Sequence, residues 1–151
     1  MPLFRPSVLP GASAFLIVAL LAPITFPCHA TDDITTAIGQ WRLTKPLDSS
    51  DITALDDNQA QRLVGKVFTI SKEKIQFGGQ KCLPPSLEEQ WVEPGLYLRE
   101  QAHADAENLH LPNPVVVVEL GCTVAFIRDS NHLVIHWKGW FFDAVRTNSR
   151  R

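Results

Sequence analysis

Apolar and polar residues alternate along much of the chain after position 38, and this two-residue period predicts β-strands. In residues 132–138 a leucine, an isoleucine and a tryptophan share one face, and Gly139 separates this segment from the next. Four consecutive valines at 115–118 predict another strand. The predicted strands cover residues 39–45, 66–71, 74–77, 87–92, 115–118, 123–127, 132–138 and 140–146.

Two segments depart from this period. Residues 51–64 place apolar side chains at helical spacing, and Gly65 follows where such a helix would end. Residues 94–108 are the least regular part of the chain, and a short helix is predicted within them over 96–106. The stretch 91–111 around this helix is long for a connection in so small a domain, which is typical of segments that carry function.

Seven or eight short strands with one or two short helices indicate a mainly β fold with antiparallel pairing. A chain of this size suits a small closed barrel, and closure would leave no exposed strand edge. A β-sandwich is the alternative. We therefore expect residues 31–151 to form a single, small, antiparallel closed β-barrel domain.

Residues 1–30 have the three parts of a secretory signal peptide. Arg5 gives a positive start, residues 14–24 form an uncharged apolar run too short to span a bilayer, and residues 28–30 provide small side chains for cleavage after position 30. Two alternatives stay open: an uncleaved membrane anchor, and a lipoprotein acylated at Cys28. With cleavage, we expect a periplasmic or secreted protein without stable membrane insertion.

The charge of the chain limits the classes of partner that it is expected to bind. There are 14 Lys and Arg residues against 16 Asp and Glu residues, and removal of Arg5 with the signal peptide makes the balance slightly more acidic. The charges are mixed along the chain, and no basic block is present that could neutralise a phosphate backbone. Nucleic acid is therefore excluded as an expected partner.

Cysteine count predicts one disulfide. Of three cysteines in the chain, Cys82 and Cys122 remain after the signal peptide. An even pair in an oxidising compartment favours a disulfide, with two separate buried thiols as the alternative. A zinc site is not indicated, because two cysteines so far apart lack clustered histidine ligands.

The first and last predicted strands carry a short structural motif. Gly39 and Trp41 form a Gly-x-Trp on the first strand, and Arg146 ends the last. This motif resembles the lipocalin-like, or calycin, superfamily, and more weakly the META-type domains of the bacterial envelope. The resemblance implies a barrel in which Arg146 stacks on Trp41 at one end, a contact of about 1 kcal/mol.

Side chains that could support catalysis do not form a recognisable set. His132 and His136 would stand about 13 Å apart on a strand, too far for one metal ion. Adjacent acids such as those at 88–89 point to opposite faces and are interpreted as solvated charge. Glu119 and Asp143 lie in apolar strands; an inward carboxylate would be a functional candidate, and an outward one, which we favour, would be solubilising. We predict no catalytic residue, no cofactor and no metal.

The irregular segment contains the best candidates for binding. Trp91, Tyr97 and Arg99 lie where the open end of a barrel would be, and we predict that they contact a ligand or partner. The leading hypothesis is a non-catalytic envelope protein that binds a small apolar ligand or a protein. The alternative is an inhibitor or immunity protein that acts on an envelope-targeting enzyme, and an enzyme is the third class.

Overall fold

The computed structural model describes residues 34–82 and 87–147 of the chain. The predicted signal peptide over 1–30, the proline-containing link at 83–86 and the polar tail at 148–151 lie outside the described residues. Within the described part, a turn of 3-10 helix at Ile34–Thr36 leads into the first strand.

Nine strands and two α-helices form within the described ranges, which confirms the predicted mainly β class. The predicted count of seven or eight strands is wrong, because three residues after the tight turn at Gly78 and Gly79 pair as a further strand, too short to show a period. The elements are β1 (Gly39–Ser49), α1 (Asp57–Gln61), β2 (Val67–Ile70), β3 (Ile75–Phe77), β4 (Gln80–Cys82), β5 (Glu88–Val92), α2 (Pro94–Gln101), β6 (Val115–Glu119), β7 (Val124–Asp129), β8 (His132–Trp137) and β9 (Trp140–Arg146).

The strands form one antiparallel sheet in the order β4-β3-β2-β1-β9-β8-β7-β6-β5. The sheet curls so that strands near its two ends share a core, but among the described residues β4 and β5 do not pair with each other. The predicted closed barrel is therefore wrong, and the fold is a curled half-barrel. β4 has three residues, and within the described part of the chain it pairs with β3 alone.

The concave, inner face of the sheet is filled by its own side chains. Trp137 contacts Phe68 and Phe77 edge-on, with ring centroids 5.6 and 5.3 Å apart. Edge-to-face contacts of this kind add to the apolar burial that stabilises a core. The inner core also contains these buried residues: Trp41, Leu43, Ile70, Ile75, Val116, Val118, Ala125, Ile127, Leu133, Ile135, Phe142 and Ala144.

The convex, outer face carries a second core beneath α2 and the 3-10 turn at Glu107–Leu109. Leu98 of α2 and Leu109 of that turn are fully buried against side chains of β6 to β9. The valine run of β6 is therefore apolar at every position, because its alternate residues enter the two different cores. The segment 91–111 was predicted to lie at the mouth of a barrel. Part of this segment instead belongs to the hydrophobic core of the outer face.

A polar network lies at the border of the outer core. Arg128 pairs with Asp143 at 2.7 Å and donates a second hydrogen bond to the carbonyl of Leu109. Asp143 also accepts a hydrogen bond from the Thr44 hydroxyl at 2.6 Å. Asp143 is thus on the outer face, as favoured from the sequence, but it is paired rather than free in solvent.

The motif that carries the calycin resemblance forms one contact network. The Arg146 guanidinium lies 4.2 Å from the centre of the Trp41 ring, so the predicted stack is present. The same guanidinium donates to the carbonyls of Thr36, Ile38 and Ser130. A Cβ at Gly39, where φ is +150°, would come within 2.6 Å of the Arg146 guanidinium, so both the backbone angle and the position of this hydrogen-bonded group favour glycine.

A disulfide joins Cys82 to Cys122, with Cα atoms 6.0 Å apart. Cys82 ends β4, the terminal strand at one end of the sheet, and Cys122 lies in the turn between β6 and β7 near the other end. The bond therefore holds the two ends of the curled sheet together covalently where no strand pairing does so among the described residues.

Several predicted boundaries differ from the structure, and the helix expected over 96–106 instead begins and ends earlier, at Pro94–Gln101. The helix expected over 51–64 is confined to α1, because the Asp56 carboxylate caps the backbone N–H of Gln59 and starts the helix there. The first strand continues past Pro46 to Ser49, with register shifts on either side of this proline. β2 pairs with β1 only over residues 39–42, so the proline falls where β1 has β9 as its ladder partner.

Removal of the Arg146 stack is expected to destabilise the domain without changing its fold. Arg146→Ala should lower the free energy of unfolding by about 1–2 kcal/mol, because stacking and packing over Trp41 are lost. Urea unfolding measures this loss, with exposed Arg42→Ala, next to Trp41 on β1, as the control. Equal stability of the two variants would contradict a role for the stack.

Loss of the disulfide is expected to weaken the domain more strongly. The Cys82→Ser/Cys122→Ser variant should lose on the order of 3–4 kcal/mol by the loop-entropy estimate, because the bond closes a loop with a sequence separation of 40 residues. Chemical unfolding of the oxidised protein and of this variant measures the difference. Thiol labelling of unreduced, denatured protein should find no free thiol in the mature chain, and two labelled cysteines would contradict the bond.

Candidate functional site

The exposed strand β5 is the least covered part of the sheet. Its neighbour in the sheet order is β6, and β5 ends the sheet. Glu88, Glu89, Gln90 and Trp91 are all exposed, whereas four of the five residues of β6 beside them are buried. Trp91 exposes 57% of its surface, which is unusual for so large an apolar residue.

Strand register places Trp91 on the inner face. Residues directly opposite each other in a ladder share a face, and Trp91 lies opposite Val116, a member of the inner core. One row of such partners crosses six strands and ends in solvent at Trp91: Leu43, Ala144, Leu133, Ile127, Val116 and Trp91. The tryptophan thus continues the apolar row of the core beyond its last buried member.

The start of α2 fixes the end of β5. The Glu93 carboxylate accepts hydrogen bonds from the backbone N–H groups of Gly95 and Leu96, and Pro94 occupies the first turn. The N–H groups of Leu96 and then Gly95 lower the pKa of Glu93, so this cap keeps its charge at neutral pH. The strand is therefore followed at once by a helix that packs on the outer face.

The Tyr97 side chain links α2 to β6 and is not a free surface group. Its hydroxyl donates to Glu119 Oε1 at 2.9 Å, and its ring meets Phe126 edge-on. Burial, followed by the hydrogen bond to Glu119, raises the pKa of Tyr97 well above its usual value. The hydroxyl therefore stays protonated as a donor, and Glu119 is bound on the outer face rather than presented to a barrel interior.

Arg99 lies on the exposed side of α2, away from the inner face that carries Trp91. It lines an open cleft of about 480 Å³ between the end of β1 and the residues that follow α2: Asp48, Ser49, Asp51, Arg99, His103, Ala104 and Asp105. The structure thus separates the three predicted binding residues. Trp91 is on the inner face at the sheet edge, and Tyr97 and Arg99 belong to the helix on the outer face.

A small acidic groove runs beside β5. It has a volume of about 150 Å³ and is lined by Glu88, Glu89, Gln90 and Glu119. Glu88 lies opposite Glu119, whose side chain is on the outer face, and Glu89 lies opposite Val118, whose side chain belongs to the inner core. Carboxylates therefore flank the edge of β5 on both faces. The sequence interpretation of the 88–89 pair as solvated charge did not identify this edge.

A second cleft, of about 540 Å³, adjoins the disulfide. It is lined by Gln80, Lys81, Cys82, Cys122, Trp137 and Lys138. Trp137 is a core residue, as predicted for it, and Lys138 has a positive φ of 53° in the turn between β8 and β9. This cleft lies between the disulfide and the turn that joins β8 to β9.

One polar pair that the sequence did not predict lies near the outer core. Ser50 Oγ is 3.4 Å from His136 Nε2, and the imidazole stacks on Phe141 with centroids 4.5 Å apart. Burial lowers the pKa of His136, so its neutral form is favoured. No carboxylate of the described residues hydrogen-bonds this imidazole, so the serine and histidine lack the third member of a triad.

The described residues contain neither a clustered set of metal ligands nor a membrane-spanning helix. Across residues 34–82 and 87–147, no group of three or more histidine, cysteine or acidic residues is placed to hold a metal ion. In this part of the chain, no helix has the length and apolar content needed to cross a bilayer.

Comparison with known proteins adds no identity. A scan against protein-family models and searches of curated proteins and of solved structures found no match to this chain. The resemblance to calycins and to META-type domains therefore stays a prediction that depends on Gly39, Trp41 and Arg146.

The buried imidazole of His136 is expected to make stability depend on pH. Because its pKa is lower in the folded than in the unfolded chain, the unfolded chain takes up the proton first as pH falls below about 6.5. The contribution of His136 to the free energy of unfolding is therefore fully present above that pH and is lost as the pH falls below it. Urea unfolding between about pH 7.5 and pH 5 should show a steeper loss for wild type than for His136→Gln, whereas parallel curves would contradict the assignment.

Proposed function

We propose that the mature chain is a non-catalytic, exported envelope protein that binds a protein partner through β5 and Trp91. The observation that carries this proposal is an exposed tryptophan that extends the core row beyond the end of the sheet. Exposed aromatic residues next to a well-packed support are typical of interaction surfaces.

The filled inner face favours a protein over a small apolar ligand. A ligand cup would need space between the curled strands, where Trp41, Phe68, Phe77, Trp137 and Phe142 instead pack together. An apolar ligand would therefore have to displace core side chains. A partner that contacts the outside of the edge strand requires no such rearrangement.

Export of the protein is supported by two independent features. Residues 1–30 have the pattern of a signal peptide, and the Cys82–Cys122 bond suits an oxidising compartment. We propose the periplasm as its location. The Trp41–Arg146 stack further supports a proposed relationship to calycins, in an open rather than a closed form.

An inhibitor or immunity protein is the second candidate within the protein-binding class. A rigid body with a filled interior, a covalent bond across the ends of its sheet and one protruding aromatic residue suits the blocking of another protein. The target would be an enzyme that acts on the envelope. An inhibitor would use the same surface, so both candidate functions require Trp91 for binding.

Capture experiments with matched variants test the proposal. Mature protein purified from the periplasm is immobilised and exposed to an envelope extract, with Trp91→Ala and Ile52→Ser in parallel. Ile52 is also a large exposed apolar residue, at 84%, and lies far from β5 in sequence. Wild type and the Ile52 variant should capture the same protein, and Trp91→Ala should retain at least tenfold less of it.

The contrary outcomes are equally clear. Undiminished capture by a folded Trp91→Ala protein, with an unchanged melting temperature, would refute the proposed surface. Release of a small apolar molecule from the denatured wild-type protein, in a one-to-one ratio, would indicate the ligand-binding alternative instead.

A further inference from the structure

We infer that β5 recognises an extended, basic segment of the partner, which adds to the sheet as an antiparallel strand. This inference rests on the proposed function and specifies the chemistry of its partner. It uses three properties of the same strand: a backbone edge that pairs with no strand of the described residues, carboxylates on both faces, and an apolar row that ends at Trp91.

The backbone of β5 is suited to strand addition. Its pairing with β6 runs over five consecutive residue pairs without a register shift, from Glu88 to Val92. Alternate residues of such a terminal strand direct their N–H and C=O groups away from the sheet. β5 contains no proline and no bulge, two of the devices that natural edge strands use to prevent pairing.

The charges of the edge select which chain can pair with it. Two copies of β5 placed edge to edge would gather four glutamate carboxylates at one short junction with no cation on either strand, so repulsion opposes self-pairing. A strand with lysine or arginine at two adjacent positions would place one cation on each face, opposite Glu88 and Glu89. The acidic edge thus disfavours a second copy of this chain and favours a basic segment.

Trp91 adds a second element of recognition. It lies two residues after Glu89 on the same face, so a side chain of the added strand opposite Trp91 would continue the apolar row of the core. A β-branched side chain would pack against the indole, and an arginine would stack on it. The expected segment therefore has two adjacent basic residues, opposite Glu88 and Glu89. Its residue opposite Trp91, two positions from the nearer basic residue, is apolar or an arginine.

Synthetic peptides test this inference on the intact mature protein. The probe is the capped peptide Lys-Lys-Thr-Val-Thr-Lys-Lys, which places a basic pair at either end and its valine opposite Trp91 whichever way it runs, and glutamate replaces lysine in the control. Calorimetry should detect binding of the basic peptide alone. Glu88→Lys/Glu89→Lys should weaken it at least tenfold, whereas Glu73→Lys/Asp57→Lys, with the same change of charge at other exposed positions, should not.

Backbone methylation separates strand addition from simple charge attraction. Two isomers of the basic peptide carry N-methyl groups on odd or on even residues. In an added strand only alternate N–H groups face β5, so one isomer should lose at least tenfold in affinity and the other should retain it. Equal binding of both isomers would overturn the inference.

Competition distinguishes this inference from the proposed function. Excess basic peptide should displace the captured partner from wild-type protein. Capture that depends on Trp91 but resists the peptide would overturn the basic-strand inference and leave the proposed function intact. Capture that does not depend on Trp91 would refute the proposed function itself.

Discussion

Burial of both faces of strands β6 to β9 is the constraint on which the rest of the structure depends. The inner face is filled by aromatic and aliphatic side chains from across the curled sheet, and the outer face is covered by α2 and the turn after it. Two cores on one sheet explain the unbroken apolar character of the valine run in β6 and the paired state of Asp143. They also make closure into a barrel unnecessary, since the apolar faces are buried without it.

β5 lies at the margin of both cores, and its properties follow from that position. Its partner strand β6 is buried, but the helix that begins directly after β5 turns the chain to the outer face and leaves the strand bare. Glutamates on both faces keep such an edge soluble and discourage self-association. Trp91 is the exception to this protection, because it exposes an apolar side chain at an edge that pairs with no other described strand.

The positions of most strands and two specific contacts were predictable from the sequence, and the closure of the sheet was not. The alternation of side chains located most strands, and cysteine parity and the Gly-x-Trp motif gave the disulfide and the Trp41–Arg146 contact. The two terminal strands, β4 and β5, are consecutive in the chain, but whether they pair depends on the curl of the whole sheet, which side-chain alternation does not report, so the open form was missed. Trp91 and Tyr97 are close in sequence, but a strand-to-helix boundary separates them onto opposite faces. The pair Glu88 and Glu89 could have been noticed because residues 88–91 lack the alternation seen elsewhere.

Hydrogen exchange of the β5 amides tests the central claim most directly. In the free mature protein, the amides of β5 that face away from β6 should exchange rapidly, and those of β7 and β8 should exchange slowly because they lie inside two cores. On addition of the captured partner, the outward β5 amides should become protected. Protection that appears instead around the cleft beside Arg99, with β5 unchanged, would contradict a binding surface at this edge.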